Sequence, residues 1–328
     1  MHVKSNNTMK AIRVQKFGGP EVLQIAEVPA IAPGPGQIVV RVHAVGVNPV
    51  ETYIRSGKYA KLPPLPYTPG SDGAGVIEHL GAGVSEWRVG QRVYIAGAPS
   101  GTYAGQTLCE PTQLHPLPDA ISFAQGAALG VPYTTAHLAL FHRGQARPGE
   151  TVLIHGATGG VGLAALQLAR AAGLTILATG GSERGRELLR REGAHHIFDH
   201  HNPDYPADIL DATNGRGVDL VLEMLANVNL GHDLPLLAPD GRVLVVGSRG
   251  PVEINPRDLM ARNADIRGVM LFLAPPSVTA DIHRVLVAGL ESGALRPIIS
   301  REYALAEAPQ AHGAAITSGA AGKIVLIP

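Results

Sequence analysis

The sequence predicts an α/β protein in two parts, a β-rich domain and a doubly wound parallel sheet. Three observations carry this prediction. The chain has 328 residues, more than one hydrophobic core comfortably organises. Residues 1–130 read as short strands with few helical patterns. From about Tyr133 onward, short apolar strands alternate with helical patterns, which implies βαβ units.

Met1 to Lys10 is polar and lacks an apolar core region, so it reads as a disordered extension rather than a secretory signal. Lys10 to Val14 is the first expected strand. Pro33-Gly34-Pro35-Gly36 punctuates the path to the second, Gln37 to Val45, which is rich in β-branched residues. Gly73 to Leu80 and Arg92 to Ile95 follow, separated by a turn around Gly81-Ala82-Gly83. Ala136 to Phe141 reads as a helix. Thr151 to His155 is a short apolar strand, and Val161, Ala165, Leu168 and Ala172 then recur at helical spacing. Leu174 to Ala178 is the next strand, and a helix over Glu187 to Glu192 ends at Gly193. Ile197-Phe198, Val218 to Met224 and Arg242 to Val246 complete the parallel sheet. Lys323 to Ile327 returns to strand texture and is expected to rejoin the first domain. The predicted domains are therefore 1–132 with 273–328, and 133–272.

Composition narrows the function classes. Hydrophobic residues make up 45% and charged residues 16%, enough for a sizeable core. Lys plus Arg equals Asp plus Glu, 27 each, so no global field draws the chain to nucleic acid or to an anionic membrane. A local basic patch stays open. No run reaches the roughly 20 apolar residues of a membrane span, and the expected location is cytoplasmic. Cys109 is the single cysteine, which excludes an internal disulfide and a cysteine-based zinc site. The glycines and prolines are spread along the chain as turns, and no repeat is evident.

The strongest motif is Thr151-Val-Leu-Ile-His-Gly-Ala-Thr-Gly-Gly-Val-Gly162. A buried strand delivers the backbone to a tight turn, a glycine lets a pyrophosphate approach, and a helix opens with free N–H groups facing it. Gly159 suits the close approach and Gly162 suits helix packing. Ala157 replaces the first glycine of the usual fingerprint, with Gly156 just before it. The expected cofactor contacts here are Gly156, Thr158, Gly159, Gly160, Val161 and Gly162. A site for NADH would carry an acidic residue at the end of the next strand. That end reads Thr179, Gly180, Gly181, with no carboxylate. Ser182 offers a hydroxyl and Arg184 or Arg186 can pair a phosphate, so Gly181, Ser182 and Arg184 favour NADPH. The alternative for the arginines is a solvated helix face.

No metal is expected. Dehydrogenases of this architecture that act on alcohols hold zinc, which needs Cys, His or acidic ligands. The corresponding segments read Val47-Asn48-Pro49-Val50-Glu51 and Gly70-Ser71-Asp72, and a cysteine-rich structural lobe is absent. His195, His196, His200 and His201 read as a solvated or cofactor-side loop. Cys109 has no recognisable base nearby and reads as structural. No Gly-x-Ser-x-Gly elbow points to a hydrolase.

The chain resembles the zinc-independent zeta-crystallin branch of quinone oxidoreductases, within the medium-chain dehydrogenase/reductases, from about Met9 to Pro328. The most specific stretches are Gly46 to Gly57, Leu65 to Asp72, Glu223 to Asn229, Val245 to Gly250 and Glu253 to Asp258. The resemblance implies a GroES-like catalytic domain, a Rossmann domain and an active site in the cleft between them. It implies NADPH, a small-molecule quinone or enone acceptor, and a homodimer or homotetramer. It places Asn48 and Tyr53 beside the nicotinamide as the catalytic residues, and Thr135 near the cofactor. It sets Gly247, Ser248 and Arg249 after the fifth strand, Leu271, Phe272 and Leu273 as a strand that lines the nicotinamide with backbone groups, and Lys323 on the phosphate side. The sequence departs from the family at Ala274 to Ser277 and at Lys58 to Lys61, where substrate identity is open. The expected reaction is hydride or single-electron transfer from NADPH to a quinone, an acceptor that needs little Lewis-acid help because its product is aromatic. Two alternatives are an NADPH-dependent alkene reductase for enones or enals, and an NADPH-regulated binding protein of RNA-binding or crystallin-like type.

Overall fold

A computed structural model describes residues 8–317, 319 and 321–328. Residues 1–7, expected as an extension, lie outside the described residues. The chain divides into two compact units, Met1–Val131 with Pro297–Pro328, and Pro132–Arg296.

The first unit is built on a seven-stranded sheet. Along it run Ile299–Ala304, Lys323–Ile327, Ile38–Gly46, Asp72–Leu80, Arg92–Ala96 and Leu114–Pro116, and Gln106–Cys109 also pairs with Ile38–Gly46. Thr8–Arg13 and Gln24–Pro29 form a separate antiparallel pair. Ile38–Gly46 is central because it is apolar at nearly every position and buried at seven of nine. Ile38 and Val40 pack with Ile77, Val93, Ile95, Cys109 and Leu114. Val42 and Val45 join a second core with Ile324, Leu326 and the alanines 308 and 311. The expected return of the C-terminus is observed: Val325 and Leu326 pair antiparallel with Gly46 and Val45.

The second unit is a six-stranded parallel sheet. Its order is His196–Phe198, Thr175–Thr179, Thr151–Ile154, Val218–Glu223, Leu237–Val245, Asp265–Gly268. In sequence order this is 3-2-1-4-5-6, the doubly wound arrangement whose direction reverses between the first and fourth strands. Val218–Glu223 is buried at every residue, as a strand covered on both faces must be. Arg242 is a buried cation held by both oxygens of Glu150 at 2.8 Å and by the Gly144 carbonyl, 2.8 Å.

Several expectations need correction. Leu271–Leu273 is a single 3-10 turn, not a strand, and Phe272 and Leu273 are 56% and 82% exposed. The sheet strand there is Asp265–Gly268, an edge strand whose half-exposed, charged residues hide it from an apolar pattern. The expected helix over 136–141 spans Gly130–His137 and continues as a wider π-type turn, Leu138–Arg143. The second break between units falls at 296/297 rather than 272/273. Arg296 is tied into the second unit by Gln167, whose side chain both accepts from and donates to its backbone at 2.9 Å. Among the described residues no helix is long and apolar enough to cross a membrane.

Candidate functional site

The glycine-rich turn has the geometry its sequence implies. Thr151–Ile154 leads into Gly156 at φ +56°, and the helix Gly160–Ala171 opens after Gly159. No side chain caps this helix, so its first-turn N–H groups point outward past Gly159. The two key glycines differ. A Cβ on Gly162 would stand 2.6 Å from Ala157 Cα and from the Gly156 carbonyl oxygen, so glycine is needed to close the helix onto the turn. A Cβ on Gly159 would meet nothing nearer than 3.4 Å, at an ordinary φ of −78°. The protein itself leaves room for a side chain at Gly159. Gly160 and Val161 form the first helical turn, and Thr158 turns its methyl toward Gly180 and Gly185.

The neighbouring strand ends converge on this turn. Gly156 N–H donates to Thr179 Oγ1 at 3.2 Å and Ala157 N–H to the Thr179 carbonyl at 3.2 Å. Met224 lies 3.6 Å from the Cβ position of Gly156, and Gly247 abuts the Met224 carbonyl. Gly156, Met224 and Gly247 therefore share the carboxyl edge of the sheet where its order reverses. Ser248 and Arg249 are exposed there; Ser248 Oγ donates to the Gly250 carbonyl, 2.9 Å, and Arg249 N–H to Asn227 Oδ1, 2.8 Å.

At the end of Thr175–Thr179, Ser182 is spent as a helix cap, its Oγ accepting from Gly185 N–H at 3.1 Å. Arg186 is engaged by Asp199 at 2.7 Å and Glu183 at 2.8 Å, whereas Arg184 is exposed with no ion-pair partner among the described residues. The His200 and His201 rings close over Gly181, where a Cβ would come within 2.8 Å of His200 Nε2. Burial, then the charge of His201, holds the His200 value below that of an ordinary histidine. These two rings were read from sequence only as a loop; their placement beside Gly181 needed the sheet register. Thr135 is buried on the helix Gly130–His137. No hydrogen bond links it to the turn among the described residues.

In the first unit, Asn48 begins the helix Pro49–Arg55 and forms a capping box with Glu51. Its amide Nδ2 donates to Asp72 Oδ2 at 2.9 Å, and its Oδ1 accepts from the Lys323 ammonium, which lies 3.5 Å from Asp72 Oδ2. Glu51 accepts from Asn48 N–H, Ser71 N–H and the Tyr103 hydroxyl, the last at 2.7 Å. Burial pushes the Asp72 and Glu51 carboxyls up and the Lys323 ammonium down, while the attraction between Lys323 and Asp72 opposes both shifts. Lys323 is thus a correction. Expected beside a phosphate, it is enclosed with Asn48 and Asp72, because Val47 N–H bonds the Ile324 carbonyl at 3.0 Å and lays the two segments together. Asn48 is buried with both ends of its amide engaged, and Tyr53, half-buried, lies one helical turn beyond it.

Two family models match the chain, "Alcohol dehydrogenase GroES-like domain" over residues 34–119 and "Zinc-binding dehydrogenase" over residues 160–286. The quinone oxidoreductase of Rattus norvegicus is 51% identical over 97% of this chain and 98% of its own length. A solved NAD-dependent alcohol dehydrogenase superposes with a TM-score of 0.91 at 28% identity, covering 98% of this chain and 100% of that one. A mycobacterial protein solved with NADPH gives a TM-score of 0.88 at 29% identity, with 98% and 100% coverage. The zinc in the second model's description does not fit the Asn48 cluster. That cluster offers one amide and two carboxylates, Asp72 and Glu51, which are already engaged by hydrogen-bond donors, and Lys323 brings a positive charge that would repel the ion.

Proposed function

The chain belongs to the quinone oxidoreductase family, and from that premise we propose that it transfers reducing equivalents from NADPH to a small-molecule quinone. The observation that carries this reading is an uncapped helix opening after Gly159, where a side chain would meet only ordinary contact with the protein. The protein's own packing does not require a glycine there, and the close approach of a diphosphate to the turn accounts for it. The turn from Gly156 to Gly162, with Thr158, Gly160 and Val161, holds the diphosphate on backbone N–H groups. Arg184, without an ion-pair partner among the described residues, takes the 2′-phosphate beside Gly181 and Ser182; the nearby carboxylates of Glu183 and Asp199 are both paired with Arg186. Gly247, Ser248 and Arg249 flank the cofactor across the strand reversal. Thr135, the half-buried Leu271 and the exposed Phe272 and Leu273 approach its nicotinamide end.

Bound there, the reduced nicotinamide supplies the hydride. The protein's residues bind, orient and exclude water. Tyr53 hydrogen-bonds the acceptor oxygen. Asn48 acts through position: its amide, clamped by Asp72 and Lys323, fixes the start of the helix that presents Tyr53. No step requires a metal, because quinone reduction ends in an aromatic product.

The test is a titration with NADPH and NADH, with turnover on quinones and enals. Gly159→Val is expected to weaken NADPH binding by about a hundredfold or more, roughly 3 kcal/mol, while its melting temperature stays near that of the parent. Gly159→Ala, the smaller change, should show the same split. Undiminished NADPH binding in both variants would contradict the placement of the diphosphate, and equal use of NADH would contradict the role of Arg184.

A further inference from the structure

Beneath the phosphate turn lies a buried polar cluster that none of the expected contacts uses. His155, Thr179, Glu223 and Asp233 come from three strand ends and the helix Ala226–Asp233, and all four are essentially enclosed. His155 Nε2 is 2.8 Å from Asp233 Oδ1 and 3.8 Å from Glu223 Oε2. His155 Nδ1 is 3.4 Å from Thr179 Oγ1. Glu223 Oε1 accepts from Leu225 N–H, and Asn229 Nδ2 reaches both Glu223 oxygens at 3.2 Å.

The donors and acceptors order themselves. Gly156 N–H can only donate, so Thr179 Oγ1 accepts it. The Thr179 hydroxyl proton is then available for His155 Nδ1. The carboxylate of Asp233 demands a proton on His155 Nε2, which leaves Nδ1 as the acceptor. The chain of bonds thus runs from a carboxylate, through an imidazole and a hydroxyl, to the first N–H of the turn. A second arm runs from Glu223 through Leu225 N–H to the segment carrying Met224, which packs 3.6 Å from the Cβ position of Gly156.

We propose that His155, pinned by Asp233, is a positioning residue for the cofactor: it orients the Thr179 hydroxyl that anchors Gly156 N–H, and so holds the diphosphate-binding turn in its binding shape. This rests on the reading that the turn from Gly156 to Gly162 binds NADPH. The contact survives protonation of the ring: an imidazolium donates from both nitrogens, and Thr179 Oγ1, with two lone pairs, then accepts from His155 Nδ1 as well as from Gly156 N–H. Burial disfavours a charged His155, but the hydrogen bond and charge of Asp233, with Glu223, outweigh it and raise the imidazole above the ordinary histidine value. Tyr205 stands edge-on to the ring with centroids 6.3 Å apart, and His200 is the further titratable group coupled to it. Ligand atoms of His155, Glu223 and Asp233 fall within 4.8 Å of one another, a spacing that could also suit a metal ion. The 2.8 Å His155–Asp233 contact is a hydrogen-bond length, and Glu223 is already occupied by Leu225 and Asn229, so a proton rather than a cation joins the group.

The experiment uses the full chain, with NADPH titration by nucleotide fluorescence and steady-state turnover. Thr179→Val keeps the side-chain shape and removes the hydroxyl; Thr179→Ser restores the hydroxyl. Thr179→Val and His155→Gln are expected to raise the NADPH Kd and KM by about tenfold at unchanged kcat, the cost of leaving one buried N–H without its partner. Thr179→Ser should stay within about twofold of the parent. Parent-like binding in Thr179→Val overturns the proposal. So does a fall in kcat at unchanged KM, or a Thr179→Ser variant as weak as Thr179→Val. A stoichiometric metal in the purified protein, whose removal alone produces the same loss, overturns it as well. If the parent itself fails to bind NADPH, the cofactor reading falls first, an outcome distinct from all of these.

Discussion

The two units each bury a polar cluster, and the two clusters are neutralised differently. In the first unit a lysine ammonium lies against Asp72, delivered by a strand 251 residues further along the chain. In the second unit Glu223 and Asp233 lie against a single imidazole, which follows the strand paired beside the one that ends at Glu223. A lysine carries a fixed charge on a long stem and suits a permanent, closed ion pair. A histidine between two carboxylates responds to protons, and its orientation transmits direction to what it touches. The first cluster is therefore a structural anchor for the helix that Asn48 begins, and the second a support for the glycine-rich turn.

Lys323→Met is expected to break the first cluster with the largest effect. Asp72 would be left as a buried carboxylate without its cation, a loss of about 3–5 kcal/mol. Chemical denaturation measures it, and adding Asp72→Asn to the same chain should recover much of the loss. A loss below about 1 kcal/mol, the range of an exposed pair, would contradict the role of Lys323 as the buried anchor of the first cluster.

Glu223→Gln sharpens the contrast in pH response. Burial, reinforced by the nearby Asp233, raises the Glu223 carboxyl from 4.5 to about 7 against the lowering pull of His155. The folded state then binds that proton more tightly than the unfolded chain. Its stabilising contribution is fully present below pH 4.5 and is lost as pH rises through about 7. The raised value of His155 acts in the same direction. The variant should gain on the parent by a few degrees in melting temperature between about pH 5 and 8. A gap that stays constant across that range would contradict a titrating Glu223.

Tyr103→Phe is the smallest of the three. It removes one donor to Glu51, 2.7 Å away, and leaves Glu51 its two backbone N–H partners. The expected cost is about 1 kcal/mol, read from the denaturation midpoint. A larger cost would show the hydroxyl to be a keystone of the first cluster, through His312 at 3.0 Å on its other side.

The same contrast explains what could be read in advance. The phosphate turn is legible because everything that shapes it lies between Thr151 and Gly162: strand, turn and uncapped helix are contiguous. The parallel sheet is legible for the same reason, one short apolar strand after another. Leu271–Leu273 misled because an apolar triplet has the composition of a strand, yet the chain leaves the sheet at Gly268. Thr179 was visible only as a strand end lacking a carboxylate. Its hydrogen bond to Gly156 depends on the register that sets Ile154 beside Ala178. Arg184 and Arg186 look equivalent in sequence, and only folding distinguishes the arginine paired with Asp199 from the free one.

Local pattern alone was enough to settle the class of fold, the position of the glycine-rich turn and the lack of an acidic residue at the end of the strand that follows it. These depend on periodicity and on backbone sterics within a few residues. Tertiary structure alone decided that Lys323 closes on Asn48 and Asp72, that the helix Pro276–Glu291 belongs to the second unit, and that His155 stands between Asp233 and Thr179. Those contacts join residues tens to hundreds of positions apart. Burial makes an unpaired polar group costly, so each found its partner wherever the fold brought one within reach.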